Sequence, residues 1–155
     1  MGSVTKIALT GGPCGGKSTC LSVLEQELTN KGYTVFIIEE MATNVINSGA
    51  NPNSVGLLQF QSMLVELQWS RNRVYDDIAR HLSYEGHDVV LIYDRGIPDC
   101  KGFITDEMYE ELLTELGLDE TTVMDYYDGV FHLVTAAIGV PEAYTCENNT
   151  ARTET

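Results

Sequence analysis

Two rhythms of apolar and polar positions alternate along the chain, and glycines mark the joins. Residues 6–10 (KIALT) form a short β-rich run that meets a glycine cluster at once. From Lys17 onward Leu21, Leu24 and Leu28 recur at helical spacing, and Asn30-Lys31-Gly32 supplies a stop. Residues 34–38 (TVFII) and 89–93 (VVLIY) are continuous apolar runs of strand length. Polar on neither face, they predict parallel strands buried from both sides. The first ends in Glu39-Glu40 and the second in Asp94-Arg95. Residues 47–53 (NSGANPN) predict a loop. A long helix is predicted over 54–84, with Leu57, Gln61, Leu64, Gln68, Arg71, Tyr75, Ile78 and Leu82 on one stripe and Gly86 as its stop. Residues 106–116 and 119–127 predict two more helices, and 130–134 a last strand. From 135 to 155 the pattern dissolves into small and polar residues.

Strands alternating with helices predict an α/β domain with a mainly parallel sheet. In such sheets ligands bind outside the carboxyl ends of the strands. No internal boundary divides residues 1–155. The pattern breaks off where a sheet of this kind continues with a further strand, so the chain is expected to be a fragment or the N-terminal domain of a longer protein.

The glycine cluster changes the picture most. Gly11-Gly12-Pro13-Cys14-Gly15-Gly16-Lys17-Ser18 matches G-x-x-x-x-G-K-[ST] in full, between a predicted strand and a predicted helix, which is the context the motif requires. Glycines let successive backbone N–H groups converge on phosphate oxygens, and the helix start adds its positive dipole end. Lys17 would supply a point charge to the β/γ-phosphates, and the Ser18 hydroxyl would ligate Mg²⁺, with Thr19 next along the helix. The alternative is a glycine-rich turn beside a solvated lysine. Cys14 within the loop reads as a small filler residue.

The charged strand ends are the second signal. Asp94 stands where a Walker-B aspartate holds Mg²⁺ opposite Ser18. Arg95 beside it would clamp phosphates. Side chains alternate on a strand, so one of Glu39 and Glu40 faces the site; Glu40 is the candidate general base. Asp99 is a candidate for the same neighbourhood, and Gln61 and Arg71, about three turns apart on one helix face, for substrate contact. Arg152, in the irregular stretch 135–155, would act as a lid arginine on the transferred phosphoryl group. His81, His87 and His132 form no pair with metal-ligand spacing.

Charge narrows the partners. Nine Lys and Arg against 23 Asp and Glu give a net charge of −14. That excludes the basic footprint of a nucleic-acid protein and a polybasic membrane patch. No apolar run approaches the roughly 18 residues of a membrane span. Residues 1–6 lack the regions of a secretory leader. Four cysteines without CxxC spacing read as reduced thiols, so a cytoplasmic setting is expected.

IALTGGPCGGKST, FIIEEMATNVI, LIYDRGIPD and NNTARTE occur in the order found in the AAA_28 family of P-loop ATP/GTP-binding domains, which this chain resembles over nearly its whole length. That family is similar to the ribosylnicotinamide kinase domain of bacterial NadR and, more widely, to thymidylate and deoxynucleoside kinases; the TRPL translocation defect protein carries a similar N-terminal domain. The resemblance implies a three-layer sheet of order 2-3-1-4-5, its last strand beyond this sequence, and a lid over 135–155. It implies Walker-A roles for Lys17 and Ser18, a Walker-B role for Asp94, a D-R arginine in Arg95, a base in Glu40 and a base-reading residue in Gln61. It also implies a C-terminal CYTH-like domain in full-length relatives. Hexameric AAA+ chemistry is not implied, because Asp94 is followed by Arg rather than the catalytic Glu.

Two functions follow as expectations. One is a Mg²⁺-dependent phosphotransferase using ATP or GTP on a small nucleoside-like acceptor. The other is an ATP/GTP-binding regulatory switch with slow hydrolysis. A Ras-like GTPase is disfavoured, since Asn30-Lys31-Gly32 breaks off before the Asp of N-K-x-D.

Overall fold

The computed structural model describes residues 1–11 and 16–133. Four parallel strands form one sheet: β1 (Val4–Gly11), β2 (Thr34–Ile38), β3 (Val89–Asp94) and β4 (Gly129–Leu133), in the order β2-β3-β1-β4. These are the first four places of the predicted 2-3-1-4-5 order. The register runs Val4↔Val89 to Leu9↔Asp94 between β1 and β3, and Ile7↔Gly129 to Gly11↔Leu133 between β1 and β4.

Helices cover both faces, which makes three layers. On one, α1 (Lys17–Asn30) lays Leu21, Leu24 and Leu28 against Leu9, Val90 and Ile92. On the other, Tyr75, Ala79 and Leu82 of α4 (Leu57–Tyr84) pack on Ala8, Val89, Leu91 and Tyr93. Successive β3 residues thus face opposite layers, and five of its six are buried, as an uninterrupted apolar run requires. Each fully buried aliphatic side chain contributes roughly 1.5–3 kcal/mol.

The N-terminal half of α4 builds a second core. Val65 and Trp69 meet Ile97 and Cys100 of a 3₁₀ turn (Ile97–Gly102), Tyr109, Leu112 and Leu113 of α5 (Asp106–Glu115) and Val123 of α6 (Glu120–Asp125). Both short helices start on side-chain caps, Thr105 on Met108 N–H and Asp119 on Thr122 N–H.

Three predicted elements are corrected. The helix expected over 54–84 is broken at Gly56 (φ 90°) into α3 (Pro52–Val55) and α4. Part of the loop expected over 47–53 is the start of α3, because Asn51 caps Ser54 N–H and Pro52 opens the first turn; the same residue types serve turns and caps. A short helix, α2 (Ala42–Asn47), follows β2 where no periodicity announced one, since Val45 is its one buried residue.

Candidate functional site

The carboxyl ends of β1, β2 and β3 lie side by side, and the first residues of α1 face them. Of the predicted phosphate loop, Gly12, Pro13, Cys14 and Gly15 lie outside the described residues. Its flanks are placed: Gly11 ends β1, and Gly16 precedes α1 with φ 80°, a left-handed backbone that glycine takes without strain. Among the described residues no side chain caps α1, so its first N–H groups have no side-chain acceptor there. The side chains of Ser18 and Thr19 lie on an exposed stretch of this first turn.

Lys17 reaches across to β3, its Nζ 2.6 Å from Asp94 Oδ1, with both side chains largely buried. Asp94 stands opposite Leu9 in the ladder, so sheet register sets this meeting. A second ion pair lies alongside. Arg95 Nε donates to Glu40 Oε2 at 3.0 Å, and Thr43 Oγ1 donates to Glu40 Oε1 at 3.1 Å. Of the two glutamates after β2, Glu39 is exposed and Glu40 turns inward, as strand alternation predicts. Arg71 meets the same strand end differently, Nη1 donating to the Glu39 carbonyl at 2.6 Å.

Arg95 is the one non-glycine residue with positive φ (73°) among the described residues. A left-handed backbone there costs about 1 kcal/mol or more, and such strain is found where a site needs a side chain aimed. Asp99, on the 3₁₀ turn after Arg95, faces the same cations. Burial pushes its carboxyl up to about 6, against the opposing pull of Arg95, the Gly96 backbone, Lys17 and His132.

Gln61 is buried on α4, and no hydrogen bond or ion pair joins it to this cluster among the described residues. Arg152 and the segment 135–155 lie outside the described residues. Cys20 and Cys100 are free thiols, and burial pushes Cys100 up to about 12, which leaves it inert. Sequence reasoning gave Thr43, Gln68 and Tyr127 no functional role: their contacts span 3 to 30 positions, and no local pattern records which partner each meets.

The donor set suits a divalent cation shared with a nucleotide. Mg²⁺ takes one or two protein oxygens and completes its shell with phosphates and water. Asp94 and Ser18 supply that many, and no cluster of three or more His, Cys, Asp and Glu competes among the described residues. No helix there is long and apolar enough to cross a membrane.

Solved structures similar to this chain include that of APE1195 (19% identity, TM-score 0.38, 86% of this chain and 61% of that one). They also include a cysteine mutant of the Mycobacterium tuberculosis APS kinase CysC (15% identity, TM-score 0.39, 87% of this chain and 78% of that one). The chain thus spans less than two thirds of the length of the first. No curated protein matches it. The sequence profile of AAA_28, an AAA domain, matches residues 6–155. Spanning nearly the whole sequence, that match gives the conclusion: the chain belongs to the AAA_28 family of P-loop nucleotide-binding domains.

Proposed function

We propose that this domain is a Mg²⁺-dependent phosphotransferase that moves the terminal phosphoryl group of ATP or GTP to a hydroxyl of a small nucleoside-like acceptor. The observation that carries this reading is the pair of contacts Lys17–Asp94 and Arg95–Glu40, side by side at the strand ends. Lys17 binds and neutralises phosphate oxygens, which requires it to leave Asp94. Asp94, so released, and Ser18 are the residues that would hold Mg²⁺, which supplies charge neutralisation on the phosphates. Glu40 takes the acceptor's proton once Arg95 exchanges its carboxylate for a phosphate oxygen. The inward turn of Glu40, and the hydrogen bond from Thr43 that fixes one of its oxygens, support that role. Arg152 and the lid over 135–155 belong to the same reading, as do Asp99, Arg71 and Gln61 as acceptor contacts.

The test is Mg²⁺-dependent turnover of ATP and of GTP across a panel of nucleosides. A rate that rises with one nucleoside and vanishes in Glu40→Gln is expected. A rate flat across the panel, with tight nucleotide binding, would overturn the reading in favour of the regulatory switch.

A further inference from the structure

The backbone around Arg95 is held from two sides by residues outside the charged cluster. On the side toward α4, Gln68 Nε2 donates to the Arg95 carbonyl at 2.9 Å. On the side toward β4, the Tyr127 hydroxyl accepts from Ile97 N–H at 3.0 Å. The Tyr127 ring also sets the shape of the turn, because a Cβ on Gly96 would stand 3.3 Å from Tyr127 Cζ, a tight fit. From below, Arg95 N–H donates to the Leu9 carbonyl at 2.8 Å, so the turn continues the β1–β3 pairing for one more residue. The left-handed φ of 73° at Arg95 therefore sits between anchored neighbours. Left to its own preference an arginine would leave that conformation, and the guanidinium would swing off Glu40 with it.

Gln68 and Tyr127 lie 27 and 32 positions from Arg95 and come from different elements. Tyr127 is buried, with its ring edge-on to Tyr93 and Tyr126 at 5.4 and 5.0 Å, so it is a rigid post. Gln68 has a narrower reason to be polar. It lies on a half-buried part of α4, and its side chain spends a donor on the Arg95 carbonyl.

We propose that Gln68 and Tyr127 are positioning residues that clamp the turn after β3 from opposite sides and so aim the Arg95 guanidinium at Glu40. The assignment deepens the phosphotransfer reading and rests on it for its catalytic consequence. The clamp itself is a property of the nucleotide-free protein. Neither residue touches the reacting groups; both act through Arg95.

The test uses Gln68→Leu and Tyr127→Phe, which keep volume and remove one hydrogen-bonding group each, with Tyr126→Phe as a control. Tyr126 belongs to the same aromatic cluster, but its hydroxyl meets Tyr93 and Asp76, away from the turn. The first readout is the ¹⁵N-resolved Arg95 Nε–H resonance of the nucleotide-free chain, identified by its loss in Arg95→Lys. In the wild type its bond to Glu40 is expected to slow exchange and shift it from the other arginines. The expected result is loss of that shifted signal in both clamp variants and its retention in Tyr126→Phe at matched stability. The second readout is turnover with the nucleoside panel. There kcat falls roughly threefold to tenfold in each clamp variant, the factor one net hydrogen bond sets, with nucleotide affinity unchanged. An Arg95 signal unchanged in both clamp variants, or lost equally in Tyr126→Phe, overturns the assignment. A wild type that responds to no nucleoside, while Arg95 behaves as stated, overturns the phosphotransfer reading and leaves the clamp supported.

Discussion

Two lysines of this domain make nearly the same contact in very different places. Lys17 meets Asp94 at 2.6 Å at the carboxyl ends of the strands, and Lys6 meets Asp76 at 2.8 Å on the flank where β1 passes under α4. Lys6 also lies over the Tyr126 ring at 4.1 Å, and the Tyr126 hydroxyl returns a hydrogen bond to Asp76 at 3.0 Å. That triangle is closed: every charge has its partner inside the protein. A groove of about 870 Å³ opens beside it, lined by Lys6, Arg73, Asp76 and Arg80 among others, yet it has no strained backbone and no uncapped helix start. Around Lys17 the charges are paired as well, but on costlier terms. Among the described residues no side chain caps α1, Arg95 is held in a left-handed conformation, and Asp99 is driven toward its neutral form. An ion pair does not mark a site; an ion pair among groups that the fold has left costly does.

The largest effect should separate the two lysines outright. Lys17→Ala is expected to weaken binding of a fluorescent ATP analogue roughly 10- to 100-fold, the cost of a charged hydrogen bond to phosphate, with the circular dichroism spectrum unchanged. Lys6→Ala should leave that affinity alone. Equal losses in the two variants would erase the distinction.

Asp99 should reveal itself through pH. Its folded pKa, raised to about 6 from 3.8 chiefly by burial, means the native state keeps a proton that the unfolded chain has released. Stability from this group is fully present below the ordinary value and is lost as pH rises through about 6. Asp99→Asn should therefore flatten the profile and exceed the wild type at pH 8 by about 1–2 kcal/mol in urea unfolding. Identical profiles would mean the carboxyl is solvated.

Arg95 allows a sharper test of strain. Arg95→Gly should be more stable than Arg95→Ala by about 1 kcal/mol, because only glycine occupies φ 73° freely, while both lose turnover. Alanine proving the more stable would remove strain from the account. The smallest effect belongs to the closed triangle: Lys6→Met should cost about 0.5 kcal/mol in thermal unfolding, as partly exposed ion pairs with a cation–π contact do.

The legible parts were those with a short-range cause. The apolar runs of β2 and β3, the leucines of α1 and the glycine-lysine motif each carry their reason within a few residues. Strand alternation required that Glu39 and Glu40 face opposite ways, and the structure leaves Glu39 exposed and Glu40 half-buried. The break at Gly56 and the capping of α3 by Asn51 were misread because glycine, asparagine and proline signal loops and helix starts alike.

What the sequence by itself determined is the order of the four strands and the longer helices, the faces these helices bury, and the presence of a lysine at a helix start and of two acids and an arginine at strand ends. Those follow from local periodicity and from side chains a few bonds apart. Only the tertiary structure decided which charge meets which. Lys17 to Asp94 and Arg95 to Glu40 depend on sheet register between strands far apart in the chain. Only it decided, too, that Arg95 is left-handed under the grip of Gln68 and Tyr127. Such contacts exist once packing has fixed three elements together, and a one-dimensional pattern holds no record of that.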